Sequence, residues 1–128
     1  MVEIDRIDVL IIGCSPLSSS GLRAVLDEAG YSVQITRDKV ARFVESSLAM
    51  ATPRLIIFDG RDIDADFTIC GTLRERFPTA RLVMLTDDCD LEEVARGLEA
   101  GLDAFVEHGS AGETLVSAVR LVMTGEKF

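Results

Sequence analysis

Five short aliphatic runs, each followed by a stretch of helical periodicity, constrain this chain more than any other feature. The runs fall at residues 8–12, 32–36, 54–58, 81–85 and 103–107. Most are rich in Val, Ile and Leu with few polar interruptions, as strands covered on both faces should be. Residues 31–36 alternate instead (Tyr-Ser-Val-Gln-Ile-Thr), which suits a strand nearer the edge of a sheet.

The intervening stretches carry apolar stripes at helical spacing. Leu17, Leu22, Val25, Leu26 and Ala29 form the first, with Gly30 placed as its C-terminal stop. Val40, Phe43, Val44 and Leu48 form the second, and Phe67, Cys70, Leu73 and Phe77 the third. The fourth holds Leu91, Val94, Ala95 and Leu98; Asp90 and Glu93 read as a capping box at its start, and Gly101 as its stop. Leu115, Val119, Val122 and Met123 form the fifth. Five βα units in succession predict one three-layer, doubly wound α/β domain, a parallel sheet with helices on both faces joined by right-handed crossovers.

Composition narrows the function. With 48% hydrophobic residues, the 128-residue chain can build one packed core. The 22 acidic and 13 basic residues give a net charge of −9, which repels phosphate backbones, so no direct nucleic-acid contact is expected. No run of about 18 apolar residues predicts a membrane span. The first residues, Met-Val-Glu-Ile-Asp-Arg, do not read as a signal peptide. Three widely spaced cysteines do not read as a disulfide framework. The expected location is cytoplasmic.

In an open parallel sheet, chemistry gathers beyond the carboxyl ends of the strands. Here those ends are Gly13-Cys14, Asp59, Thr86-Asp87 and Glu107-His108. The stretches Leu10-Ile11-Ile12-Gly13-Cys14-Ser15-Pro16-Leu17, Leu55 to Asp59, Leu82 to Thr86 and Glu99-Ala100-Gly101-Leu102-Asp103-Ala104-Phe105-Val106 together resemble the response-regulator receiver (CheY-like) family over nearly all of the chain. Ser15-Pro16-Leu17 and the Ala-Gly-Leu-Asp-Ala-Phe segment look like receivers that precede a LuxR-type helix-turn-helix output domain. The resemblance implies a single flavodoxin-like receiver domain over residues 1–128, with strand order 2-1-3-4-5.

It also implies roles. Asp59 matches the aspartate that accepts a phosphoryl group from a histidine kinase. Thr86 and Phe105 match the switch residues of strands four and five. The family's two Mg²⁺-binding acids fall at Gly13 and Cys14, and its lysine after strand five falls at His108. The carbonyl of Arg61 matches the remaining Mg²⁺ contact.

Phosphoryl transfer relies on positioning and on charge compensation, usually by a metal and a cation. Glycine offers no ligand and a thiol is too soft for Mg²⁺. No cofactor or metal is therefore expected beyond a weak Mg²⁺ contact at Asp59 and the Arg61 carbonyl. Asp59 reads as a retained carboxylate held by Arg61 or His108, and Phe105 as core packing. Thr86 is either a switch hydroxyl or a strand-end residue bonding backbone. Asp87, where the family has a small residue, either overhangs the site or faces solvent; the solvated reading is preferred. Asp62, Asp64 and Asp66 read as a solvated loop. A soft-metal or redox site from Cys14, Cys89, His108 and Asp59 matches no zinc spacing.

The expectation is an atypical receiver, not an enzyme, that signals through protein partners as the regulatory half of a transcription regulator. Helices 17–29 and 111–124 are the expected homodimer surface. The alternatives are a working phosphoacceptor switch at Asp59, which would need Mg²⁺, and a small flavodoxin-like enzyme or ligand-binding protein. The last lacks a glycine-rich phosphate loop after strand one.

Overall fold

A computed structural model describes residues 9–36, 53–62, 67–87, 90–110 and 112–124. Its elements are β1 (Val9–Ile12), α1 (Pro16–Glu28), β2 (Val33–Thr36), β3 (Leu55–Asp59), a 3-10 turn (Gly60–Asp62), α2 (Thr68–Arg76), β4 (Arg81–Thr86), α3 (Leu91–Ala100), β5 (Ala104–Glu107) and α4 (Gly112–Met123). All strands are parallel, in the order β2-β1-β3-β4-β5. This is the expected flavodoxin-like α/β architecture, with the alternating strand β2 at the edge.

The aliphatic runs become the central strands because both their faces are covered. Every residue of β1 and β3 is buried. Alternate side chains enter two cores. Val9, Ile11, Leu55, Ile57 and Val83 join Leu26 of α1 and Leu115, Val119 and Val122 of α4. Leu10, Ile12, Ile56, Phe58 and Leu82 join Phe67, Cys70, Leu73 and Phe77. The third and fifth stripes therefore face the cores as expected. The second stripe, Val40 to Leu48, lies outside the described residues, as do Asp64, Asp66 and Cys89.

Helix ends follow local chemistry. Ser15 caps α1 by accepting the Ser18 N–H at 3.2 Å, and Pro16 opens the first turn. Asp90 and Glu93 form the predicted capping box, with Asp90 Oδ1 accepting the Glu93 N–H at 2.8 Å. Gly101 ends α3 at φ 117°, a conformation that favours glycine.

Two stripes differ from expectation. Leu17 is 86% exposed; it lies nine positions before Leu26, about 180° round the helix, so it cannot share that buried face. Leu91 is 87% exposed and Ala95 is exposed, while Val94 and Leu98 are half-buried. The buried residue of α3 is instead Gly97. The Phe105 ring occupies the place a larger side chain would need: a Cβ on Gly97 would lie 2.4 Å from Phe105 Cζ. The apolar stripe of α3 is thereby turned partly outward.

Candidate functional site at the carboxyl edge of the sheet

β3 and β4 each run one residue further than predicted. Asp59 lies inside the ladder opposite Leu85, and Thr86 pairs with Glu107. The carboxylate is thus carried by a central strand and is buried at 8% exposure. The chain must turn sharply beyond it. A Cβ at Gly60 would lie 2.8 Å from the Leu85 carbonyl oxygen, so only glycine permits this close passage. The 3-10 turn then brings the Arg61 backbone N–H to Asp59 Oδ1 at 2.9 Å.

The other carboxylate oxygen faces His108. Asp59 Oδ2 is 3.3 Å from His108 Nε2, and His108 Nδ1 is 2.9 Å from Asp87 Oδ1. Both contacts are at ion-pair distance, yet neither ring nitrogen is aligned for a hydrogen bond among the described residues. A neutral imidazole donates through one nitrogen only, so it can satisfy one of two flanking carboxylates. The loop is fixed by its backbone, where the His108 N–H donates to the Thr86 carbonyl at 2.8 Å.

Asp87 faces solvent, as the preferred reading has it, but it is not without partners. The Arg61 guanidinium grips it at both oxygens, Nε to Oδ2 at 3.0 Å and Nη2 to Oδ1 at 2.9 Å. Its side chain is 59% exposed, and it links Arg61 to His108. The Arg61 hydrogen bond is the main cause holding the Asp87 carboxyl below its usual range, with the charges of Arg61 and His108 adding and desolvation opposing. The same bond raises Arg61 above its ordinary value. The sequence marks neither partner for the other, because they stand 26 residues apart.

The remaining corner residues are placed as follows. Gly13 turns out of β1 at φ 70°, its N–H bonded to the Thr36 carbonyl at 3.2 Å. Cys14 is buried in the core shared by α1 and α4, with Sγ 3.8 Å from the Ile12 carbonyl oxygen. Thr86 is half-buried beside the acid corner. Phe105 is half-buried on the opposite face of β5 and meets Phe67 edge-on, ring centres 6.4 Å apart. No group of three or more His, Cys, Asp or Glu suited to a metal occurs among the described residues.

These donors suit Mg²⁺ poorly. An octahedral cation needs hard oxygens at short distance. Gly13 offers no side chain, Cys14 offers a buried thiol, and of the Asp59 oxygens one accepts the Arg61 N–H while the other faces His108.

The architecture now has counterparts. A CheY-like response regulator receiver domain protein from Methanospirillum hungatei superposes with a TM-score of 0.75 at 19% identity, over 94% of this chain and 96% of that one. A LuxR family DNA-binding response regulator from Silicibacter pomeroyi gives 0.73 at 26% identity, over 92% and 93%. This chain has the fold of the CheY-like receiver domains. The signal receiver domain of a histidine kinase from Syntrophus aciditrophicus gives 0.68 at 28% identity, over 91% and 89%. Neither a protein-family model nor a curated protein matches the sequence. Among the described residues, no helix is long and apolar enough to cross a membrane.

Proposed function

We propose that this receiver signals by protein–protein contact with its Mg²⁺-dependent phosphorylation impaired, as the regulatory half of a transcription regulator in the cytoplasm. The observation that carries this reading is the occupied state of Asp59. One oxygen takes the Arg61 N–H, the other faces His108, and Arg61 is itself paired with the exposed Asp87. Phosphoryl transfer needs charge compensation at the transferred oxygens. In this corner the nearest cationic group is tied to a carboxylate, and the positions matching the metal acids hold Gly13 and a buried Cys14. The domain is not an enzyme in the ordinary sense; its partners are proteins, a histidine kinase or another regulator. Helices α1 and α4 form its homodimer surface.

The second reading, a working phosphoacceptor, draws support from the retained Asp59 at the end of a central strand, with Thr86 beside it. In that reading Asp59 and the Arg61 carbonyl would contact Mg²⁺. One experiment decides between them. The chain is incubated with Mg²⁺ and acetyl phosphate, and its intact mass is compared with that of Asp59→Asn. Absence of a phosphoryl adduct, repeated with a kinase donor, is the expected result. An adduct on the wild type alone would replace the first reading with the second.

A further inference from the structure

Between α1 and α4, the helices of the dimer surface proposed above, the domain holds an open cavity of about 290 Å³. Ser18, Gly21, Leu22 and Val25 enter it from α1 at spacings of one helix face. Leu85, Val106 and Leu115 supply its aliphatic floor. The loop after β5 closes one end with His108, Gly109 and Ser110.

Gly21 marks the space as more than a packing gap. Glycine in a helix interior is unfavourable, and a Cβ at this position would meet nothing within 4 Å. No contact among the described residues therefore requires it. Across the cleft, Gly112 brings α4 close to α1, since a Cβ there would lie 3.1 Å from Val25 Cγ2. His108 is the second mark. Its side chain is only 15% exposed and it forms a common wall, lining the cavity while its nitrogens face Asp59 and Asp87.

We propose that this cleft binds a small, flat, apolar molecule without negative charge, seated on the aliphatic floor with its edge against the His108 ring. The size follows from volume. An apolar cavity of about 150 Å³ accepts benzene, so about 290 Å³ suits a fused two-ring molecule. The charge preference follows from Glu107 in the lining, from Asp59 and Asp87 behind His108, and from the chain's net charge of −9. Ser18 and Ser110 offer hydroxyl groups to a polar substituent. Because His108 walls both spaces, occupancy bears on the contacts of Asp59 and Asp87. The proposal stands whether or not Asp59 accepts a phosphoryl group, so either outcome of the acetyl phosphate experiment leaves it standing.

The test titrates indole, tryptamine and indole-3-acetate into the ¹⁵N-labelled chain, following the amide signals of Gly21, Gly109 and Gly112 and the His108 ring. Saturable shifts confined to these signals are expected with indole and tryptamine, with affinity at least tenfold weaker for indole-3-acetate. Gly21→Leu plugs the cleft while favouring the helix, so it should abolish the shifts without lowering the Tm. Ser18→Trp serves as a second plug should Gly21→Leu fail to fold. Absence of saturation up to the solubility of indole, shifts scattered over the surface, or shifts that survive both plugs would overturn the proposal. So would glycine shifts that track protein concentration together with dimer formation in sedimentation, which would give the cleft to a second copy.

Discussion

Asp87 lies 2.9 Å from His108, on the opposite ring nitrogen from the one that faces Asp59. The acceptor-position carboxylate is therefore screened by a second carboxylate held in place by Arg61. Removing that second charge should free both Arg61 and His108 to face an incoming phosphoryl group. Under the phosphoacceptor reading, Asp87→Ala forms the acetyl phosphate adduct roughly tenfold faster than the wild type, equivalent to about 1.4 kcal/mol of barrier. Intact-mass time courses read this directly. A slower rate would show that Asp87 instead stands in for the missing metal acids.

The Arg61–Asp87 pair also predicts a pH dependence of definite sign. The Asp87 carboxyl is held below its ordinary value of 3.8, first by the Arg61 hydrogen bond. A carboxyl depressed by folding contributes stability that is complete above the ordinary value and disappears as pH falls through the lowered one. Both side chains are more than half exposed, so the contribution is small and belongs to acid conditions alone. Carboxyl ¹³C shifts should place the Asp87 midpoint below 3.8, and Arg61→Gln should return it toward that value. A wild-type midpoint at or above it would refute the bidentate contact in solution.

What was legible in the sequence was whatever rests on a local pattern. Uninterrupted aliphatic runs gave central strands because period-two neighbours on both faces are buried, and the run ending in Asp59 located the acid corner. Capping residues spoke for Asp90 and Gly101 through chemistry confined to one turn. Periodicity alone does not say which face of a helix meets the sheet, so it includes Leu17 and Leu91 in the buried stripes although both side chains lie outward. The bond between Arg61 and Asp87, and that between Arg74 and Asp103, join residues separated by 26 and 29 positions. One local signal pointed toward the second of these: Asp103 is an acid at the entry of an otherwise apolar strand, and such a group is buried only when paired.

That pair secures the end of the sheet opposite the acid corner. Asp103 Oδ2 accepts the Leu82 N–H at 2.8 Å and lies 3.1 Å from Arg74 Nη2, while the same guanidinium group reaches the Gly101 carbonyl at 2.8 Å. The Asp103 side chain is only 4% exposed. Asp103→Ala leaves the buried Leu82 N–H without its acceptor and takes the carboxylate from the Arg74 guanidinium, which keeps its carbonyl partners; removing one member of a buried pair costs about 3–5 kcal/mol. Arg74 is 31% exposed and can turn toward water, so the low end of that range is expected. Asp103→Asn, which retains an acceptor for Leu82, should cost less. Urea denaturation measures both, and equal losses would mean that the charge rather than the hydrogen bond carries the effect.

Gly97 and Phe105 make the most exacting steric prediction. Alanine is the better helix former by about 1 kcal/mol, so an exposed glycine in α3 would gain stability from Gly97→Ala. Here the added Cβ would stand 2.4 Å from Phe105 Cζ and 2.9 Å from Leu102 Cδ1. The ring would have to leave its edge-on contact with Phe67, or α3 would have to lift from the sheet. Overpacking of this kind costs about 1–3 kcal/mol, which outweighs the propensity gain. Phe105→Leu should relieve the clash, so Gly97→Ala costs less in that background than in the wild type. The double-mutant cycle therefore carries a coupling of opposite sign to the single losses. Additive losses would mean that the ring moves freely and that Gly97 is not what seats it.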